Sequence, residues 1–121
     1  MRNKKIAEFN ILNLTPKRLL EYEINNEGLI NVLVPRFKIN FLQKLMPQKI
    51  SPYIKANLDE LGSATWELID GTRTATDIAN LLKKKFGDVE QIYERVGLFL
   101  QQLNKNNFIT FIEISEQYYP L

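Results

Sequence analysis

Residues 54 to 111 hold three helix-forming segments in succession, each with its own start and stop signal, and then a short apolar run. That succession constrains the fold more than anything else in the chain. Asp59 stands where a carboxylate can accept from the orphan N–H groups of a first helical turn. Leu61, Ala64, Thr65 and Leu68 follow at i, i+3, i+4, i+7, the spacing of one buried helix face, which Trp66 and Ile69 widen. Trp66 is expected to pack this helix onto a sheet. Asp70 and Gly71 end the segment, because glycine takes the left-handed conformation at no steric cost. Thr74 and Asp77 have the spacing of a capping box, with Asp in place of the usual Glu or Gln. Ile78, Leu81, Leu82 and Phe86 give the second helix its apolar stripe. Lys83, Lys84 and Lys85 lie near its end, where the helix dipole favours cations, and Gly87 stops it. Asp88 is expected to cap a third, longer helix whose buried face carries Val89, Ile92, Tyr93, Val96, Phe99, Leu100 and Leu103. Asn104, Asn106 and Asn107 supply its stop, and Phe108 to Ile114 reads as a strand.

Ahead of the helices the pattern is that of strands. Residues 1–18 read as a polar arm with apolar anchors at Ile6, Phe9, Ile11, Leu12 and Leu14, and the Thr15-Pro16 step argues against helix there. Leu20 to Ile24 alternates strictly, with Leu20, Tyr22 and Ile24 on one face and Glu21 and Glu23 on the other. Asn25 to Gly28 is a turn, and Leu29 to Val34 completes an antiparallel hairpin with Ile30, Val32 and Val34 on one face. Pro35 closes it. Between Phe37 and Leu45 the spacing predicts a short amphipathic helix with Phe41 and Leu42, ended by Pro47. Lys38, Lys44 and Lys49 offer a peptide- or membrane-facing alternative for this part. Tyr53 to Leu58 is a third strand, with Ile54, Ala56 and Leu58 on one face and Tyr53, Lys55 and Asn57 on the other. The order predicts an α+β fold, winged helix-turn-helix-like: a three-stranded antiparallel sheet followed by three helices and a C-terminal strand. Residues 19–121 would form one domain behind the arm.

Composition narrows the chemistry. With 121 residues, 45% of them hydrophobic, the chain can bury roughly two thirds of its unfolded surface without a metal or disulfide. It has no cysteine and no histidine, which excludes iron–sulfur clusters, thiol nucleophiles and a Ser-His-Asp site. The basic start at Arg2, Lys4 and Lys5 lacks the apolar run of a signal peptide, and no segment nears the ~18 apolar residues of a membrane span, so a cytoplasmic protein is expected. Residues 1–55 hold ten Lys/Arg and four Asp/Glu, a balance of +6, whereas residues 56–121 hold six and ten, a balance of −4. A DNA-reading third helix would expose Asp88, Glu90 and Glu94, offset only by Gln91 and Arg95, and carboxylates facing phosphates cost affinity.

The run from Leu58 to Gly71, then Thr72 to Thr74, Ile78 to Leu82, and Phe99 to Leu103 resembles the pyrroloquinoline quinone biosynthesis protein D (PqqD) family, over roughly residues 53 to 112. The Trp-x-Leu-x-Asp-Gly-x-Arg-Thr arrangement from Trp66 to Thr74 is its most specific part. Against that family's pattern, residues 36–52 look like an insertion. The resemblance implies no enzyme and no cofactor. It implies an adaptor that binds a ribosomally made precursor or leader peptide and presents it to a radical-SAM-type modifying enzyme. The peptide would add as a strand to the edge at Tyr53, Ile54, Lys55, Ala56 and Asn57, beside a helix wall of Tyr93, Arg95, Val96, Phe99, Leu100 and Leu103. Arg95 and Lys55 could meet acidic side chains of the peptide. The C-terminal strand could block this edge, pair elsewhere, or exchange between copies to make a homodimer. The alternatives are a winged-helix nucleic-acid binder and a structural or assembly subunit.

Overall fold

In a computed structural model, which describes residues 10–36 and 51–118, a 3-10 turn at Ile11–Asn13 leads into strand β1 (Pro16–Arg18). Strands β2 (Tyr22–Ile24), β3 (Ile30–Pro35) and β4 (Tyr53–Asn57) follow, then helices α1 (Glu60–Leu68), α2 (Ala75–Phe86) and α3 (Ile92–Lys105). Strand β5 (Ile109–Phe111) and helix α4 (Ile112–Tyr118) close the order. The fold is mixed α+β. Strands β2, β3 and β4 form an antiparallel sheet in that order, and β5 returns to pair with β1 in a separate two-stranded sheet.

Local chemistry sets the register of the larger sheet. The Asn25 carboxamide oxygen accepts from the N–H groups of Glu27 and Leu29, and Gly28 takes φ +80°, so the turn closes with Ile24 opposite Ile30. That register turns Ile30 and Val32 inward, where both are fully buried. Trp66 of α1, Ile69 just after it, Ile78 and Leu82 of α2, and Val96 and Leu100 of α3 close over them. Each such side chain contributes about 1.5–3 kcal/mol relative to exposure. Trp66 is wholly buried, edge-on to the Tyr22 ring at 6.1 Å, and its indole N–H has no partner among the described residues.

The helix boundaries are capped largely as the sequence implies. The Gly62 N–H donates to Asp59 Oδ1 at 2.7 Å, and both halves of the Thr74/Asp77 capping box are present. The Asp-Gly-x-Arg part of the central motif is a helix-end staple. Asp70 Oδ1 accepts from the N–H groups of Thr72 and Arg73, while the Arg73 guanidinium reaches both Asp70 Oδ2 and the Leu68 carbonyl. The two backbone bonds hold the Asp70 carboxyl at about 2, below its usual 3.8.

Several expectations are corrected. Helix α3 begins at Ile92, and Asp88 does not cap it; Gly87 and Gln91 both take positive φ and turn the chain between α2 and α3. On α2 the buried positions are Ala75, Ile78, Ala79 and Leu82, and Leu81 is turned outward, because the small alanines seat the helix against its neighbours. In the hairpin, Ile24 shares the inward face by alternation yet is 61% exposed. The run from Phe108 to Ile114 is a strand only through Phe111. Its partner strand begins only at Pro16, opposite Phe111; Leu14 turns into the core, and the Glu113 carboxylate accepts from the Thr15 N–H and hydroxyl, both at 2.8 Å. The N-terminal segment is built into the fold from Ile11 onward: the Leu14 carbonyl accepts the Ala75 N–H and the Leu12 carbonyl accepts the Thr76 hydroxyl. The helix expected between Phe37 and Leu45, and the anchors Ile6 and Phe9, lie outside the described residues.

Candidate functional site

Strand β4 pairs with β3 on one side only among the described residues. The Leu58 N–H donates to the Ile30 carbonyl at 2.9 Å, and the Arg36 N–H to the Pro52 carbonyl at 2.8 Å. Hydrogen-bonded and non-bonded pairs alternate along an antiparallel ladder. Ile54 and Ala56 therefore direct their main-chain groups at β3, whereas Tyr53, Lys55 and Asn57 direct theirs to the open side. Ser51 Oγ takes the Tyr53 N–H at 3.2 Å. The N–H and C=O groups of Lys55 and Asn57 have no partner among the described residues. An edge with vacant, regularly spaced donors and acceptors is a template for another extended chain.

A groove of about 520 Å³ opens beside the end of this edge. Its near wall is Asn57, Leu58, Asp59, Leu61, Gly62 and Thr65, where β4 runs into α1. The far wall is Arg95, Val96, Leu98 and Phe99 of α3. The two walls face each other because α1 starts directly at the strand's end, with Asp59 capping it, and α3 packs alongside. Leu98, 66% exposed, is an uncovered apolar side chain on the rim.

The residues expected at the site fall into three groups. Asn57, Arg95, Val96 and Phe99 line the groove together. Tyr53, Ile54, Lys55 and Ala56 lead up to it along the edge, with Ala56 half-buried against the core and Ile54 half exposed. Tyr93 and Leu100 lie elsewhere: the Tyr93 hydroxyl bonds Asn80 of α2, and Leu100, like Leu103, is buried in the core. Sequence reasoning missed the α1 wall altogether. A glycine inside a helical pattern, Gly62, was the available signal.

The charges differ in how far they are committed. Lys55 Nζ is 2.9 Å from Glu23 Oε2 across the outer face of the sheet. Glu23 also accepts from Asn31 Nδ2, and the two bonds, Lys55 first, lower its pKa. Arg95 is exposed and has no ion pair among the described residues. Among those residues no three His, Cys, Asp or Glu side chains gather as a metal site, and no helix is long and apolar enough to cross a membrane.

No curated protein matches the chain, and no solved structure does. A family model does match: that of coenzyme PQQ synthesis protein D (PqqD), over residues 53–109, just under half of the chain. The matched stretch begins with β4, includes α1, α2, α3 and both walls of the groove, and ends as β5 begins. From the edge strand to the start of β5, the chain is similar to the PqqD family.

Proposed function

We propose that the chain is a non-catalytic peptide-binding adaptor. It holds a ribosomally made precursor or leader peptide for a separate modifying enzyme, of radical-SAM type, in cofactor or modified-peptide biosynthesis. The match to the PqqD family model over residues 53–109 supports a role of the PqqD kind. The observation that carries the binding mode is the conjunction of a vacant strand edge at Lys55 and Asn57 with a groove at the end of that edge. A guest peptide extended along β4 would exchange main-chain hydrogen bonds with these two residues and direct alternate side chains toward α3. Arg95, exposed at the rim and without an ion pair among the described residues, would take a carboxylate of the guest, whereas Lys55 is already held by Glu23. The outward carboxylates Glu90 and Glu94 near the start of α3 disfavour the nucleic-acid reading.

The test is a titration of isotope-labelled protein with short peptides encoded beside the gene, followed by amide chemical shifts. Shifts are expected at Lys55, Asn57, Val96 and Phe99. Binding that shifts only residues remote from β4 and α3 would remove this binding mode.

A further inference from the structure

Helix α3 turns one face to the solvent, away from the core. Leu98 on that face is 66% exposed, more than any other large apolar side chain among the described residues, and it stands on the rim of the groove. Glu94 lies one turn before both Gly97 and Leu98, so the three share one patch of the helix surface. An uncovered leucine beside a carboxylate fits an occupant that brings both an apolar side chain and a cation.

The first described residues are fastened next to this patch. The Leu14 carbonyl accepts the Ala75 N–H and the Leu12 carbonyl accepts the Thr76 hydroxyl. Ile11 lies directly on Gly97, where a Cβ would come within 3.4 Å of Ile11 Cγ2. Followed backwards, the chain therefore passes from α2 onto the middle of α3 and reaches Asn10 there. Residues 1–9, outside the described residues, continue from that point. They carry Arg2, Lys4 and Lys5 against one carboxylate, Glu8, and two large apolar side chains, Ile6 and Phe9. The six residues from Asn10 back to Lys4 can span about 20 Å when extended, several turns of helix. Charge selects the direction. Towards the end of α3 the exposed side chains are Gln101, Gln102 and Lys105, which offer a cation nothing, whereas towards its start they include Glu94 and, just before the helix, Glu90.

We propose that residues 1–9 fold back along the outer face of α3, with their apolar side chains over Leu98 and their cations beside Glu90 and Glu94. The arm is then an internal competitor at the rim of the groove, and a guest peptide must displace it. The contact itself stands apart from the strand-addition reading; the competition rests on that reading.

The chain has no cysteine, so Ala7→Cys in the full chain gives a single place for a nitroxide label. The label should broaden the amides of Glu94, Gly97 and Leu98 and leave β1 and β5 sharp. Lys4→Glu with Lys5→Glu should lower the docked share about tenfold, the worth of two exposed ion pairs, and the broadening with it. Adding Glu90→Lys and Glu94→Lys to that chain should restore it. Broadening centred on other elements, or broadening that ignores the arm's charges or is not restored by the reversed pair, overturns the docking. For the competition, the peptides encoded beside the gene are added to the labelled chain. One that shifts the amides of Lys55 and Asn57 should relieve the broadening at Leu98, and should bind the Lys4→Glu, Lys5→Glu chain more tightly. A bound peptide that leaves the broadening unchanged overturns the competition. Broadening at Leu98 with no peptide shift at Lys55 or Asn57 upholds the docking and counts against strand addition alone.

Discussion

Asp70 carries much of the Trp66–Thr74 motif's structural work with one carboxylate. Its oxygens accept two backbone N–H groups and pair with Arg73, which in turn holds the Leu68 carbonyl at the end of α1. Because these bonds favour the charged form, the folded-state pKa lies at about 2 against 3.8. A depressed carboxylate pKa contributes stability that is fully present above the unfolded value and is lost as pH falls through the folded one. In chemical denaturation followed against pH, Asp70→Asn should be less stable than the parent chain at neutral pH. That gap should narrow as pH drops from about 3.8 to about 2. A gap of constant size across that window would show that the charge on Asp70 is not what the motif uses.

Among the elements, β4 is the one whose main chain is half used, and proline can probe the vacant half. The Lys55 N–H points away from β3, so Lys55→Pro removes no bond from the existing ladder. Lys55→Ala keeps the N–H, and both variants lose the ion pair with Glu23. Peptide binding should be weaker in the proline variant than in the alanine variant by about fivefold, the worth of one net hydrogen bond. Equal affinity in the two variants would mean that no guest strand bonds there. The elements also show what the sequence could reveal. The Asp59 cap, the Thr74/Asp77 box and the stops at Gly71 and Gly87 were legible because each depends on neighbours a few residues away. Strand β1 was not, since Pro16-Lys17-Arg18 has no strand composition and is a strand only because Phe111, Thr110 and Ile109 lie opposite it. The groove was half legible for the same reason: the α3 stripe repeats along one helix, whereas the α1 wall faces it only in the folded chain.

At the scale of the whole molecule, the match to the family model begins at Tyr53, and the rest of the β2-β3-β4 sheet precedes it across residues 36–52. The two ends of that connection are joined. The Arg36 N–H donates to the Pro52 carbonyl at 2.8 Å, and Arg36 Nε donates to the Ser51 carbonyl at 3.1 Å. An antiparallel pair whose ends already meet needs only a tight turn between them. Replacing residues 37–50 with Asn-Gly leaves Asn-Gly-Ser51 between Arg36 and Pro52, a common hairpin loop length. Loop closure costs about 0.6 kcal/mol for each doubling of length, so the shortened chain should be as stable as the parent or more so by about 1 kcal/mol. Amide shifts of α1, α2 and α3 should be unchanged, and the peptides that bind the parent should bind it with equal affinity. If the shortened chain folds and loses peptide binding, residues 37–50 belong to the binding surface, and the groove between β4 and α3 is only part of it. If it fails to fold, the connection supplies packing that the β3–β4 ladder depends on.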